Sequence, residues 1–425
     1  MSWAWAYLAV SVVGALLVLN AFRPLRHGVV VVQSFFAGWY TAEMPLWHIV
    51  WQLAATAVFA SEGAFSSWPG WLGLGIAVAS WVGLYLQHRI AGQAVGVMAA
   101  AEAEYPLPAV DGLDLPMSGR DTMWRFPRLA LPLPKPSRVC QITRNIDYAG
   151  DGRRRHMLDI VRCRGAMPEA APVLVHIHGG AWMIGDKREQ GFPLMFEMAR
   201  RGWVCVTINY RLSPKATWPD QIVDCKQAVA WVREHIAEYG GDPGFIAVTG
   251  GSAGGHLSAL LALTSGDPTF QPGFEDADCS VDACVPMYGQ YDMTVHDGGR
   301  TFRDRGELDM FERRIFKTTF AEHPEVFRAA SPLYRVHRDA PPFFVIHGRN
   351  DTLIPVADAR EFVAALRAVS DNPVLYGELP YAQHAFDVLP SVRSAHTVAA
   401  VVRFLQLARY RPKTLDAAAE TSGTV

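Results

Sequence analysis

The sequence predicts an α/β protein with a mainly parallel sheet, entered through an apolar N-terminal region of membrane type. Three observations lead there. From residue 139 onward, eight short apolar runs alternate with helical patterns. Most of those runs are continuously apolar rather than alternating, as strands covered on both faces must be. Residues 1–87, by contrast, carry only four charged side chains, Arg23, Arg26, Glu43 and Glu62, and hold eight of the chain's 13 Trp.

In chain order, Trp3 to Phe22 and Trp68 to Leu86 are long enough to cross a hydrocarbon core of ~30 Å. Pro45 to Ala60 is shorter and carries His48 and Gln52, so a third span there needs the help of the apolar residues 29–39. Tryptophans near segment ends suit the headgroup boundary. No basic residue precedes the first apolar run, and no small-x-small site precedes Arg23, so the run reads as a retained anchor rather than a cleaved signal. Residues 1–90 are therefore expected to be a membrane anchor of two to three transmembrane helices. With three, Arg23, Arg26 and Arg89 fall on one side, which the positive-inside tendency makes cytoplasmic, and the region from residue 139 onward with it. Cysteines 140, 163, 205, 225, 279 and 284 form no evident disulfide framework, which fits a reducing compartment.

Residues 91–138 are expected to be a linker or lid: a helical "AGQAVGVMAAAEAEY", then a run with Pro at 106, 108, 116, 127, 132, 134 and 136. Residues 139–410 hold the strands, expected at 139–146, 156–163, 172–178, 203–209, 245–249, 281–287, 342–347 and 374–379. The first two, joined by "AGDGRRR", read as an antiparallel edge hairpin. Helical patterns include "IVDCKQAVAWVREHIAEY", "HLSALLALTSG" and "ADAREFVAALRAVS". Residues 411–425 are expected to be a disordered tail. Lys+Arg 39 against Asp+Glu 41, a formal charge of -2, gives no field favouring nucleic acid.

The chemistry centres on "IAVTGGSAGGHLSALLALTSG". Gly250-x-Ser252-x-Gly254 stands between a strand and a helix, the context of a nucleophile elbow. The turn is so tight that larger neighbours would clash. It sets Ser252 at a helix N-terminus, where the Ala253 amide points at an oxyanion. Strand 172–178 ends in "HGGAW", whose small residues let the Gly180 and Ala181 amides turn inward beside the serine. A serine needs a base, and the base an acid to fix its tautomer. "PPFFVIHGRND" delivers Asp351 past a strand end, and "VLYGELPYAQHAFD" delivers His384 on the next loop. His396 reads as a surface or packing residue, His347 as a structural packing residue, His256 as a helix-face residue with a role behind the site as the alternative, and Glu378 as the substitute acid.

"HGGAW", "YRLSP", "YGGDP", "GGSAGG" and "HGRND", in that order, resemble the hormone-sensitive-lipase-like branch of the α/β-hydrolases over roughly residues 140–410. The resemblance implies the α/β-hydrolase fold, a Ser252–His384–Asp351 triad and an oxyanion hole from the Gly180, Ala181 and Ala253 amides. It implies carboxylesterase, lipase or deacetylase activity. Two positions depart from the pattern: Gly251 stands where the family has Asp, and Ala181 where it has a third Gly. The His-Gly-Gly-x-Trp form is similar to the kynurenine formamidase and prenylcysteine methylesterase branches. A membrane-anchored serine carboxylic ester hydrolase acting on small-molecule or lipid esters is thus expected. The alternatives are an amidase-like deacylase and a catalytically silent scaffold. Such chemistry needs no cofactor, and Cys and His spacing offers no zinc pattern. The Pro-rich segment, "AWMIGDKREQGF" and "GQYDMTVHDGGRTFRDRGELDMFERRIF" are the lid candidates, the last with amphipathic packing as the equal alternative. No feature of the sequence sets an oligomeric state.

Overall fold

The computed structural model describes residues 2–26, 30–104, 115, 140–165, 170–295 and 302–410. The Pro-rich run of the expected lid and the expected tail lie outside them. Eight strands form one sheet: β1 (Cys140–Asp147), β2 (Met157–Cys163), β3 (Ala171–Ile177), β4 (Val204–Ile208), β5 (Gly241–Gly251), β6 (Ala283–Met287), β7 (Phe343–Gly348) and β8 (Val374–Leu379). Their order is β1-β2-β4-β3-β5-β6-β7-β8. β1 and β2 pair antiparallel, as do β2 and β4, and every later pair is parallel. The runs expected to be covered on both faces are: every residue of β3, β4, β6 and β7 is buried. One face packs Val173, Val175, Ile208, Ile246 and Val248 with the nearby helices, and the other packs Leu174, Cys205, Ala247, Val285 and Phe344. All six cysteines are free thiols.

Helices α1 (Trp3–Phe22), α2 (Val31–Glu43), α3 (Pro45–Ser61) and α4 (Trp68–Ala91) precede the sheet, followed by α5 (Ala94–Glu104). By length and composition, Trp3–Phe22 and the run Trp68–Glu104 are able to cross a bilayer. Aromatic pairs Trp3–Phe59 and Trp5–Trp68 join the start of α1 to the end of α3 and the start of α4. The other end of α1 meets the sheet domain, where Arg26 donates to the Arg349 carbonyl at 3.2 Å. α2 does not extend α3 as a single span; the chain bends at Met44, whose Pro45 opens α3. α5 falls within the segment expected as linker or lid. It is docked on the sheet domain instead, through Met98 against Gly377 and ion pairs Arg403–Glu102 (2.7 Å) and Arg367–Glu104 (2.6 Å).

The later helices are α6 (Phe192–Arg200), α7 (Asp220–His235), α8 (Ala253–Leu263), α9 (Phe302–Met310), α10 (Pro324–Ala329), α11 (Val356–Val369) and α12 (Val392–Ala408). A single π-helical turn, Phe311–Phe316, follows α9. It buries Phe311 and Phe316 against Trp182, Trp218 and Phe327, so that part of the expected lid is core packing. Residues 296–301 of the same candidate, and the Phe302 side chain, lie outside the described residues. "AWMIGDKREQGF" is tethered as well. The Lys187 amide donates to Asn209 Oδ1 at 2.7 Å, and Arg188 pairs with buried Asp159 at 2.6 Å.

Candidate active site

β5 lies at the centre of the sheet and runs straight into α8 through Ser252, whose backbone adopts φ 59°, ψ -125°. Such a conformation costs of order 1–3 kcal/mol for a residue with a side chain and persists only where the surroundings impose it. Here they do. A Cβ at 254 would run into the Ile177 carbonyl, and one at 250 into the backbone of Gly254, so glycine is required on both sides of the serine. The Ser252 amide donates to the Met287 carbonyl at 3.0 Å and is thereby spent.

The end of β3 turns through three successive positive φ angles, Gly180 (122°), Ala181 (50°) and Trp182 (57°). This arch stands beside the elbow: a Cβ on Gly179 would lie 3.0 Å from Ser252 Cβ. Among the described residues, the amides of Gly180, Ala181 and Ala253 donate to no protein acceptor. Three unspent donors beside a serine, one of them at a helix N-terminus, are what an oxyanion requires. The arch is pinned from behind. The Trp182 indole N–H donates to His256 Nδ1 at 3.1 Å, and His256 Nε2 donates to the Ala330 carbonyl at 2.7 Å. Burial pushes His256 down to about 4, so it stays neutral and able to accept. His256 thus holds the arch through Trp182, the alternative its helix position left open.

Asp351 follows β7 and His384 follows β8, on neighbouring loops at the C-terminal edge of the sheet. His384 Nδ1 lies 2.7 Å from Asp351 Oδ2, with both side chains buried. An ionised carboxylate only accepts, so the imidazole carries its proton on Nδ1 and leaves Nε2 as base. Burial alone would raise the Asp351 carboxyl. The His384 and His347 imidazoles hold it well below the usual carboxylate range instead, and the Leu353 and Ile354 amides each donate to Oδ1 at 2.8 Å. His347, expected only to pack, lies 3.3 Å from Asp351 Oδ2. Glu378, the substitute acid, faces elsewhere and is bound by Arg349 and Arg360. His396 lies on α12, half-buried.

The Ser252 hydroxyl is not hydrogen-bonded to the imidazole in this structure. Tyr288 lies between the elbow backbone at Gly251 and the imidazole. Its ring meets His384 edge-on at 4.6 Å between centroids, and its hydroxyl occupies the space a side chain at Gly251 would need. That hydroxyl donates to buried Asp387, whose carboxyl is pushed up by burial. Sequence reasoning missed both residues; the glycine at 251 was the one signal that a distant side chain fills that volume. Among the described residues, no group of three or more His, Cys, Asp or Glu is placed to hold a metal ion.

The model of the BD-FAE family matches residues 158–366. A probable carboxylic ester hydrolase of Mycobacterium tuberculosis, LipM, is 45% identical over 414 residues, covering 94% of this chain and 92% of its own. That similarity therefore takes in much of the N-terminal helical region. Esterase LipQ of the same organism is 49% identical over 264 residues, covering 62% of each chain. Among solved structures, a truncated carbohydrate esterase from gut microbiota is similar with a TM-score of 0.55 and 25% identity, covering 64% of this chain and 97% of that one.

Proposed function

The chain belongs to the hormone-sensitive-lipase-like carboxylic ester hydrolases of the α/β-hydrolase fold, and from that premise we propose that it is a membrane-anchored serine esterase that cleaves lipophilic esters through Ser252, His384 and Asp351. The observation that supports this most is the buried Asp351–His384 pair, which shares Tyr288 with a strained serine elbow flanked by three unspent amides.

The chemistry follows from those parts. His384 Nε2 takes the Ser252 proton as Oγ forms a bond to the ester carbonyl carbon. The carbonyl oxygen becomes an oxyanion, held by the amides of Gly180, Ala181 and Ala253. Collapse breaks the carbon–alkoxide bond, and the departing alkoxide takes the proton from His384. Water, deprotonated by the same imidazole, then attacks the acyl-enzyme; the acid leaves and Ser252 regains its proton. Asp351 stays ionised throughout and stabilises the imidazolium. The lipophilic substrate class is supported by the apolar outer faces of α1 and α4 and by the nearness of α2 to His384.

The test is hydrolysis of p-nitrophenyl esters together with labelling by a fluorophosphonate. Both should be lost in Ser252→Ala, and Asp351→Asn should lower kcat by about 10⁴. A Ser252→Ala protein that still labels would refute the assignment. The sheet domain is assigned to the cytoplasm; modification of Ile184→Cys, at an exposed position, by an impermeant thiol reagent in intact cells would overturn that placement.

A further inference from the structure

Helix α2 lies outside the sheet, yet it touches the loop that carries His384 at three points spaced along one helical face. Phe35 meets the His384 ring edge-on, with centroids 5.9 Å apart. One turn later, the Trp39 indole N–H donates to the Ala385 carbonyl at 2.8 Å. Ala385 directly follows the catalytic imidazole and is held at φ 59°, a conformation a residue with a Cβ does not keep without support. One turn further, Glu43 accepts from Arg393 Nη1 at 2.5 Å and from Ser391 Oγ at 2.6 Å, with Glu43 and Arg393 buried. Arg393 also donates to the Ala42 carbonyl at 3.2 Å and to the Pro380 carbonyl at 3.3 Å, so it ties α2 to the start of the same loop.

The acid loop is held from the same side. Asn350 Nδ2 donates to the carbonyls of Ala21 and Phe22 at the end of α1, each at 3.2 Å. From the sheet side, His384 has Asp351 on Nδ1 and Gln383 Oε1 accepting its amide at 2.9 Å. These contacts orient one ring nitrogen and one amide. Immediately after the imidazole, the Ala385 carbonyl accepts from the Val388 amide of its own loop at 3.2 Å, and Trp39 adds the brace that comes from outside the sheet domain. Val32, Phe36 and Tyr40 of α2 are exposed.

We infer that α2 is a positioning element of the esterase: Phe35, Trp39 and Glu43 fix the loop 380–391 and the first turn of α12, and through them the aim of the His384 imidazole. This rests on the Ser252–His384–Asp351 assignment. It gives the N-terminal region a part in turnover that anchoring alone would not require, because the proton acceptor is aimed by a helix outside the sheet.

The experiment uses the full-length protein in detergent and compares Trp39→Phe with Val32→Ala, a substitution at an exposed position. Trp39→Phe removes one donor and keeps the aromatic bulk. It should lower kcat for a short-chain p-nitrophenyl ester about 10- to 100-fold with KM within about twofold, slow fluorophosphonate labelling in parallel, and leave Tm near that of Val32→Ala. Unchanged kcat and labelling rate would overturn the inference, as would a loss carried by KM alone. Should Trp39→Phe not accumulate as folded protein, Phe35→Leu is read by the same criteria. Ser252→Ala and His384→Ala separate the two readings. If either retains labelling, the triad assignment fails; if both are dead and Trp39→Phe is unaffected, only the role of α2 fails.

Discussion

Two helices of this molecule are almost equally apolar and are used in opposite ways. α8, which begins at the serine elbow, buries all eleven of its residues between the sheet and the helices packed over it. α1 is longer and no more polar, but it buries Ala4, Tyr7, Ser11, Gly14, Val18 and Ala21 and leaves Val12, Val13, Leu16 and Leu19 exposed. A helix that is apolar on every side must be covered by something. α8 is covered by protein and is too short to cross a bilayer. α1 has the length to cross, and its buried stripe is mostly small, with Gly14 against Gln52 and the Tyr7 hydroxyl 2.9 Å from Thr56 Oγ1. Small residues at helix contacts and large ones outside are the pattern of packing in lipid. Composition alone does not separate the two uses; length and the placement of bulk do.

The comparison sharpens most under matched substitution. Leu257→Ala in α8 should cost about 2–5 kcal/mol by leaving a cavity, read as a large fall in Tm, whereas Leu16→Ala in α1 should change stability in detergent by less than about 0.5 kcal/mol, read as a nearly unchanged Tm. Equal losses would mean that the outer face of α1 is packed like a core, and the contrast would collapse. Leu16→Asp should act differently again, at a cost of about 2.5–3.5 kcal/mol for a charge near a span centre, seen as a smaller membrane-bound fraction in a flotation assay.

A smaller effect should come from the arch over the elbow. Trp182→Phe leaves buried His256 Nδ1 without its donor, a cost of about 1–3 kcal/mol. It should lower kcat about tenfold, with KM nearly unchanged, in steady-state assays. The smallest concerns Glu378, at the sheet edge. Hydrogen bonds from Arg360 at 2.7 Å, opposed by partial burial and joined by bonds from Arg349 and Tyr376, hold its carboxyl down to about 2. A carboxyl depressed on folding adds stability above its unfolded value near 4.3 and loses it as pH falls toward 2. Glu378→Gln should therefore cost at most about 1 kcal/mol at pH 7 and nothing near pH 2, as measured by urea unfolding at the two values.

The sheet and the elbow were legible because their signals are local. Continuous apolar runs such as "VLVHI" need cover on both faces, and the glycines around Ser252 mark a turn with no room. The places of Asp351 and His384 after β7 and β8 were legible, and the structure brings the two side chains within 2.7 Å. The contacts between α2 and the His384 loop were not, since residues 35–43 and 384–393 meet only in three dimensions and each side chain involved reads as ordinary membrane-helix or loop composition. Tyr288 and Asp387 were hidden for the same reason. His347 was read as packing because its approach to Asp351 depends on how the chain turns after β7.

The central claim is that Ser252 forms a covalent acyl intermediate with the aid of His384. The most direct measurement is acid quench of the protein during turnover of p-nitrophenyl butyrate, followed by peptide mass mapping. The account predicts one butyryl group, +70 Da, on the peptide containing Ser252, absent in Ser252→Ala. A butyryl group on another residue, or turnover with none at all in wild-type protein as the p-nitrophenol burst develops, would contradict it.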